Sequence, residues 1–404
     1  MRDRPPTILQ IVPELDTGGA ELSAIEVADA IVRAGGRALV ACAGGRMVQQ
    51  LLDVGGVAID MPLASKNPVS LALNANRLVA LVKRDGVDLI HARSRAPAWS
   101  GLRAARRAGL PFVTTYHGAY GEKTAAKRMY NSVMARGNIV IANSQYTADL
   151  IQQRYGTDTR KIRVINRGVD LAAFDPAAVS HERIAALRVS WGVPPEARVI
   201  LHPARLTRWK GQTVVLDAVS RLKSDGGSVE FIVVLAGDDQ GRHGYTEALQ
   251  AQAKSLGLSD HVRFAGHVSD MPAAFLAADV AIVASTEPEA FGRTAAEAQA
   301  VGTPVIATAI GAPRETVLAP PSIPEHAATG RLVAPGDPDA LAGAIAALLS
   351  LDPDARAAMA ARARRHVKTH YSVHQLQDAT LQVYDELLNT EMATMFRSQS
   401  VDNL

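Results

Sequence analysis

Strand-length apolar runs alternate with longer amphipathic stretches along most of this chain, and few folds accommodate that alternation. In the amino-terminal part the runs are TILQIVP, RALVACAG, VDLIHAR, PFVTTYHG, GNIVIANS and KIRVIN, with helix-like segments such as GGAELSAIEVADAIVRAGG between most of them. After DLAAFDPAAVSHERIAALRVSWGVPPEA the pattern restarts with RVILHPAR, VEFIVVLAG, HVRFAGHV, DVAIVAS, TPVIAT and TGRLVAP. A strand with one wet face alternates apolar and polar residues, whereas continuous runs mark parallel strands covered on both faces by crossover helices. The expected class is therefore α/β, with two doubly wound, Rossmann-like parallel sheets, and a length of 404 residues fits two domains with a cleft between them. Ligands of such sheets bind at the carboxyl ends of the strands. The expected boundaries are 1–170 and 171–371, with a hinge within Arg167–Pro176. A helix at about 372–391 is expected to rejoin the first domain, resting on Leu376, Leu381, Val383, Tyr384, Leu387 and Leu388 at helical spacing, and 392–404 to be a flexible tail.

Composition narrows the class of function. Apolar residues at 48% and charged residues at 21% supply sizeable cores and exclude a disordered chain. The only cysteine, Cys42, lies in an apolar run, so it reads as buried filler in a chain of a reducing compartment, with no intrachain disulfide. No apolar leader segment and no run of about 18 uncharged apolar residues is present, so a cytoplasmic protein that does not span a membrane is expected. A net charge of +3 without a nucleic-acid-binding signature argues against nucleic acid. The charge is nevertheless uneven: Lys83 to Arg136 holds eleven Lys or Arg against Asp85, Asp88 and Glu122. That stretch is either a solvated helix surface or a face for anionic lipid head groups or an acidic acceptor.

Two motifs carry chemistry. EPEAFGRTAAE, residues 287–297, sits where a strand hands over to a helix, so unpaired N–H groups and the positive helix end face the sheet's ligand side. Gly292 lets a ligand approach the backbone there, and Glu289 and Glu297 are two hydroxyl acceptors spaced for a long polyol; the alternative is a helix-start charge and a solvated glutamate. ARLTRWKG places Arg205 and Lys210 after the first strand of the same domain, where two cations suit a diphosphate. A surface salt-bridge pair is the bland alternative. No Asp-x-Asp metal pair accompanies them, since DPD at 337–339 and 352–354 reads as helix starts, and no G-x-G-x-x-G follows the first strand, which disfavours a dinucleotide-dependent dehydrogenase.

ARLTRWKG together with PEAFGRTAAEAQAVGTPVIAT resembles the GT-B retaining glycosyltransferases of family 4, of the bacterial lipopolysaccharide and exopolysaccharide type. DTGGAE at 16–21, GVD at 168–170, LAGDDQG at 235–241 and TGRLVAPGDPDALAGAI at 329–345 extend the likeness over nearly the whole chain. The resemblance implies a hexosyltransferase without cofactor or metal that uses a UDP-, GDP- or ADP-sugar. It implies that Arg205 and Lys210 hold the donor diphosphate, that Glu297 binds the ribose, and that Glu289 holds the sugar hydroxyls beside the backbone of Phe291, Gly292 and Arg293. Gly18 and Gly19 would admit the diphosphate and acceptor, His117 would lie near the transferred sugar, and Gly237 near the base. The acceptor implied is a glycan or glycolipid, handled by a cytoplasmic protein in peripheral contact with the anionic inner face of the membrane; a soluble acceptor fits the motifs equally. Three departures stand out: NRGVD, with Arg167 where the family has Asn; AR in place of GR before Lys210; and GAPRE, Gly311 to Glu315, in place of GG-x-PE. A sugar-nucleotide epimerase of similar architecture, or a glycan-binding subunit without activity, is the alternative.

Overall fold

The computed structural model describes residues 4–16, 18–224 and 230–401. The chain divides into two compact units: one holds the residues up to Gly168 together with the segment from Val373 onward, the other is Val169–Ser372.

The first unit is built on seven parallel strands, β1 (Thr7–Ile11), β2 (Arg37–Cys42), β3 (Val57–Asp60), β4 (Leu89–Ala92), β5 (Phe112–Tyr116), β6 (Ile139–Ala142) and β7 (Ile162–Val164). Their order is β3-β2-β1-β4-β5-β6-β7. Successive residues of a strand point to opposite faces, so Ile8 and Leu9 enter different cores. On one face the helix Gly19–Arg33 and the helix Val373–Leu388 pack with Ile8, Val40 and Leu381; on the other the helices Pro68–Asp85 and Arg95–Ala108 pack with Leu9, Ile90 and Leu102. Six of these strands were expected from their apolar runs and β3 was not. It is a four-residue edge strand with both ends exposed, so it needs no continuous apolar run. Cys42 is buried in β2, and burial raises its thiol pKa.

The expected flexible tail from residue 392 is corrected by the structure: Met392–Val401 is a helix, with Met392, Ala393 and Phe396 buried in the first unit's core. Its start is capped from a distance. The Asp385 carboxylate accepts from Met392 N at 2.8 Å, Ala393 N at 2.9 Å and Thr390 Oγ1 at 2.6 Å, while Asn389 turns the chain with φ 54°. A cap supplied by the preceding helix leaves no local N-cap signal to read.

The second unit has six parallel strands, β8 (Arg198–Pro203), β9 (Phe231–Ala236), β10 (Val262–Gly266), β11 (Val280–Val283), β12 (Val305–Thr308) and β13 (Arg331–Val333), in the order β10-β9-β8-β11-β12-β13. Each of the six apolar runs expected there forms one of them. In both sheets the order reverses beside the first strand, between β1 and β4 and between β8 and β11. Loops leaving the two strands of such a switch point turn to opposite sides of the sheet and open a crevice at its carboxyl edge. Among the described residues no helix is long and apolar enough to cross a membrane.

Phe396 is fully buried, with the Arg33 guanidinium 4.6 Å from its ring centroid. Phe396→Ala is expected to cost about 3 kcal/mol through the cavity it leaves, read as a lower urea midpoint. An unchanged midpoint would show that this helix contributes nothing to the core.

Candidate functional site

In the second unit the loops after β8 and β11 flank the switch point. The first passes Arg205 and a short turn, Arg208–Lys210; the second passes Ser285 and Glu289 before the helix Arg293–Val301. Lys210 Nζ lies 2.5 Å from Glu289 Oε1, and Ser285 Oγ donates to the same oxygen at 2.5 Å. Only 14% and 12% of the two charged side chains is exposed, so this is a largely desolvated pair with a hydroxyl attached. The loops are also tied by backbone, Thr286 N donating to Trp209 O at 2.8 Å, and Lys210 Nζ sits 4.2 Å from the Trp209 ring centroid. Beneath them His202 is buried, its Nδ1 donating to Ile282 O at 2.9 Å, and burial draws its pKa down to about 4.

Glu289 is fixed through its main chain as well. It forms an isolated parallel bridge with Gly311, and its carbonyl accepts from Ala312 N at 2.9 Å. Gly311 has φ 78°, and a Cβ there would overlap the Glu289 carbonyl. GAPRE, though it departs from the family pattern, thus keeps glycine at the contact that positions Glu289.

In the helix Arg293–Val301, Glu297 accepts from Arg293 Nε, four residues before it, at 2.7 Å. Gly292 is the N-cap, in a left-handed conformation, and no side chain caps the helix. Phe291 is 3% exposed; its ring meets Tyr371 edge-on at 5.5 Å in a small core with Val169, Ala296, Ala300 and Val367. Its side chain is therefore structural. Gly237 follows β9 and packs on the backbone of Ala204. Arg205 is exposed and enters neither ion pair. Ser285, which orients Glu289, escaped sequence reasoning; it ends the run DVAIVAS and is fully buried, so the one polar residue closing an apolar run was the available signal.

The first unit carries a second polar cluster at its own switch point. Gly18 and Gly19 follow β1 and open the helix Gly19–Arg33, again without a side-chain cap. At the end of β4, buried Arg93 donates through Nε to Gln10 Oε1 at 2.6 Å, and Gln10 Nε2 donates to Ala24 O at 2.8 Å. His91 is fully buried between Tyr384 Oη, 2.6 Å from Nδ1, and Thr115 Oγ1, 2.7 Å from Nε2, and burial holds it well below the usual histidine range. His117, just after β5, receives a hydrogen bond on Nδ1 from Arg167 Nη2 at 2.9 Å. Its Nε2 is buried and has no partner among the described residues. Burial first, then the positive charges of Arg167 and Arg93, push its pKa well below the usual value. Gln10, His91 and Arg93 were passed over in sequence, although they are polar residues within the strand-forming runs TILQIVP and VDLIHAR.

Two family models match the chain: Glycosyltransferase Family 4 over residues 17–173 and Glycosyl transferases group 1 over residues 184–366. A D-inositol 3-phosphate glycosyltransferase of Jonesia denitrificans is 31% identical over 313 residues, which are 74% of this chain and 71% of that protein. Among solved structures, a glycosyltransferase from Rickettsia africae is similar with a TM-score of 0.85 at 35% identity, over 95% of this chain and 99% of the other. Anabaena HepE in complex with UDP and glucose is similar with a TM-score of 0.81 at 27% identity, over 95% and 100%.

A largely buried ion pair leaves a costly orphan when one partner is removed. Lys210→Met is expected to destabilise the protein by about 3 kcal/mol, and Lys210→Met combined with Glu289→Leu to recover most of that loss. Urea unfolding of the single and double variants measures both. Additive losses would mean that the two groups do not interact.

Proposed function

The chain belongs to the family 4 glycosyltransferases, has their GT-B fold and takes its sugar from a nucleotide donor; we propose that it transfers that sugar with retention, using its own cations instead of a metal ion. The observation that carries this reading is the Lys210–Glu289 pair, which sets a cation and a carboxylate side by side at the carboxyl ends of β8 and β11. An ammonium has three donors, so Lys210 can hold Glu289 and a phosphate oxygen together. In this reading Lys210 and Arg205 bind the donor diphosphate and Glu297 the ribose, with Gly237 by the base. Glu289 accepts from the sugar hydroxyls, flanked by the backbone of Phe291, Gly292 and Arg293. His117 donates to the transferred sugar, and Gly18 and Gly19 admit diphosphate and acceptor. A UDP-sugar is the donor favoured, because the similar HepE structure holds UDP and glucose.

As the bond from the sugar's anomeric carbon to the diphosphate lengthens, negative charge grows on the leaving oxygen. Arg205 and Lys210 stabilise that charge, each contact worth about 2 to 4 kcal/mol in a closed site. The acceptor hydroxyl attacks from the face the diphosphate leaves, and its proton passes to the departing phosphate oxygen.

For the acceptor we favour a lipid-linked glycan, of lipopolysaccharide core or exopolysaccharide assembly, met at the inner face of the cytoplasmic membrane. The support is that Lys83, Arg84, Arg103, Arg106, Arg107, Lys123, Lys127, Arg128 and Arg136 of the first unit are all exposed. Met129, 65% exposed on the same short helix as Lys127 and Arg128, adds an apolar contact, and Val69 and Leu73 are exposed on the helix Pro68–Asp85. A phosphorylated polyol is the second reading, favoured by relatives named D-inositol 3-phosphate glycosyltransferase.

The two glutamates should separate by function. With excess chelator present throughout, Glu297→Gln is expected to weaken UDP and intact donor alike by about tenfold, a loss of uniform binding. Glu289→Gln is expected to spare UDP and lower kcat by about a hundredfold, because the sugar's position matters most in the transition state. Calorimetry with UDP beside steady-state kinetics checks both. Turnover that chelator abolishes and magnesium restores would refute the metal-free reading.

Cosedimentation with vesicles tests the acceptor. Each exposed cation near an anionic surface adds about 1 kcal/mol, so binding to anionic vesicles at low salt and release at high salt are expected. Equal failure to bind anionic and neutral vesicles, with turnover of inositol phosphate, would transfer support to the soluble acceptor.

A further inference from the structure

We propose that Arg167 is a positioning residue for His117: its guanidinium holds the imidazole as the neutral tautomer with the proton on Nε2, leaving one N–H donor for the transferred sugar. This rests on the sugar-side reading of His117 given above, and it adds a residue that the family pattern does not supply, since Asn is usual where Arg167 stands.

The two residue types differ in what they allow. An Asn amide donates and accepts, so it pairs with either tautomer of a neighbouring imidazole; a guanidinium only donates, and it stays charged at any working pH. With Arg167 Nη2 at 2.9 Å, His117 Nδ1 must be the acceptor, so the ring's proton is on Nε2. That nitrogen is buried and has no partner among the described residues. A buried N–H without an acceptor is unfavourable, and a ligand hydroxyl oxygen relieves it. Gly19 makes the arrangement sterically possible, because a Cβ there would overlap Arg167 Nη1; the guanidinium lies across the start of the helix Gly19–Arg33 to reach His117.

The neighbours reinforce the neutral form. Arg167 from the segment after β7, and His91 and Arg93 from the end of β4, all oppose a second proton on the ring. Tyr120, on the loop that His117 opens, bonds the His117 backbone, and the Glu21 carboxylate lies by Gly18. Burial remains the largest cause of the depressed pKa, so removing Arg167 raises it without restoring the free value.

The test is the ¹⁵N spectrum of the histidine rings in the full chain, with the His117 resonances assigned by their loss in His117→Gln. The wild type is expected to show the Nε2–H tautomer and to titrate well below the usual histidine range. Arg167→Met and Arg167→Gln are both expected to give mixed tautomers and a pKa displaced upward, while Arg167→Lys, which only donates and keeps the charge, recovers the tautomer. In kinetics, Arg167→Met should lose about threefold in kcat on going from pH 8 to pH 6, with the affinity for UDP unchanged, and the wild type should stay flat. A proton on Nδ1, a cationic His117 at neutral pH, or identical spectra for the wild type and Arg167→Met would overturn the proposal. If the tautomer is held yet His117→Gln turns over at the wild-type rate, the sugar-side reading of His117 fails and the positioning role with it. If His117→Gln loses turnover while Arg167→Met leaves the tautomer untouched, the proposal for Arg167 alone fails.

Discussion

Parallel strands buried on both faces leave one place for polar side chains to do chemistry, the carboxyl edge where the chain escapes the sheet. Helices on both sides exclude water from β1, β8 and β11 along their length, so a charge in mid-strand would have no solvation and no partner. The reversal of strand order then gives each sheet one gap at that edge. Every charged side chain in the two polar clusters follows this constraint. Lys210 and Glu289 leave the strands either side of the gap in the second unit; Arg93 follows β4 across the gap from the Gly18–Gly19 loop in the first.

Confinement to a dry edge also explains why the covered charges of the second unit's cluster come in pairs. A single ammonium or carboxylate with about seven-eighths of its surface covered would lose hydration it could not replace; Lys210 with Glu289, and Arg293 with Glu297, replace it for each other. Ser285 Oγ supplies the further donor that Glu289 needs, and the Gly311 bridge holds its main chain. Such pairs stabilise little in net terms, because desolvation offsets most of the attraction. Their consequence is geometric: each cation and carboxylate holds the other in place, and charges fixed in advance are the kind that stabilise developing charge most effectively.

What was legible in sequence follows the same logic. Doubly covered strands must be continuously apolar, so twelve of the thirteen strands and both sheets could be read from their runs. β3 could not, because an edge position relaxes that requirement, and the helix Met392–Val401 could not, because Asp385 caps it from another element. The charged candidates were legible for a different reason: Arg205, Lys210 and Glu289 lie in the loops after β8 and β11, and Glu297 one turn into the helix that follows, where charge needs a purpose. Their pairing was not. Which cation meets which carboxylate depends on the twist and spacing of strands that are distant in sequence, β8 and β11 above all. Gln10, His91 and Arg93 were hidden because a mainly apolar run draws attention away from the polar residues inside it.

Phe291 shows how a motif can be half chemistry and half packing. Its neighbours Glu289 and Arg293 carry charge, yet its own ring is buried against Tyr371, beside Val169 and Val367. Val169 and Tyr371 lie where the chain enters and leaves the second unit, and they are joined there by Val169 N donating to Tyr371 O at 2.7 Å. Tyr371 in turn donates from its hydroxyl to Glu315 O at 2.9 Å, in the segment that also contains Gly311. The Glu289 loop is therefore clamped from two sides, by its Phe ring on the crossing segments and by the Gly311 bridge. The Phe291 ring meets Tyr371 directly, and the Gly311 segment is bonded to the same tyrosine at Glu315. A close-packed contact of this kind transmits displacement instead of absorbing it, so the position of Glu289 is set jointly with that of the crossing segments, and the motif's aromatic residue is the part that makes the connection.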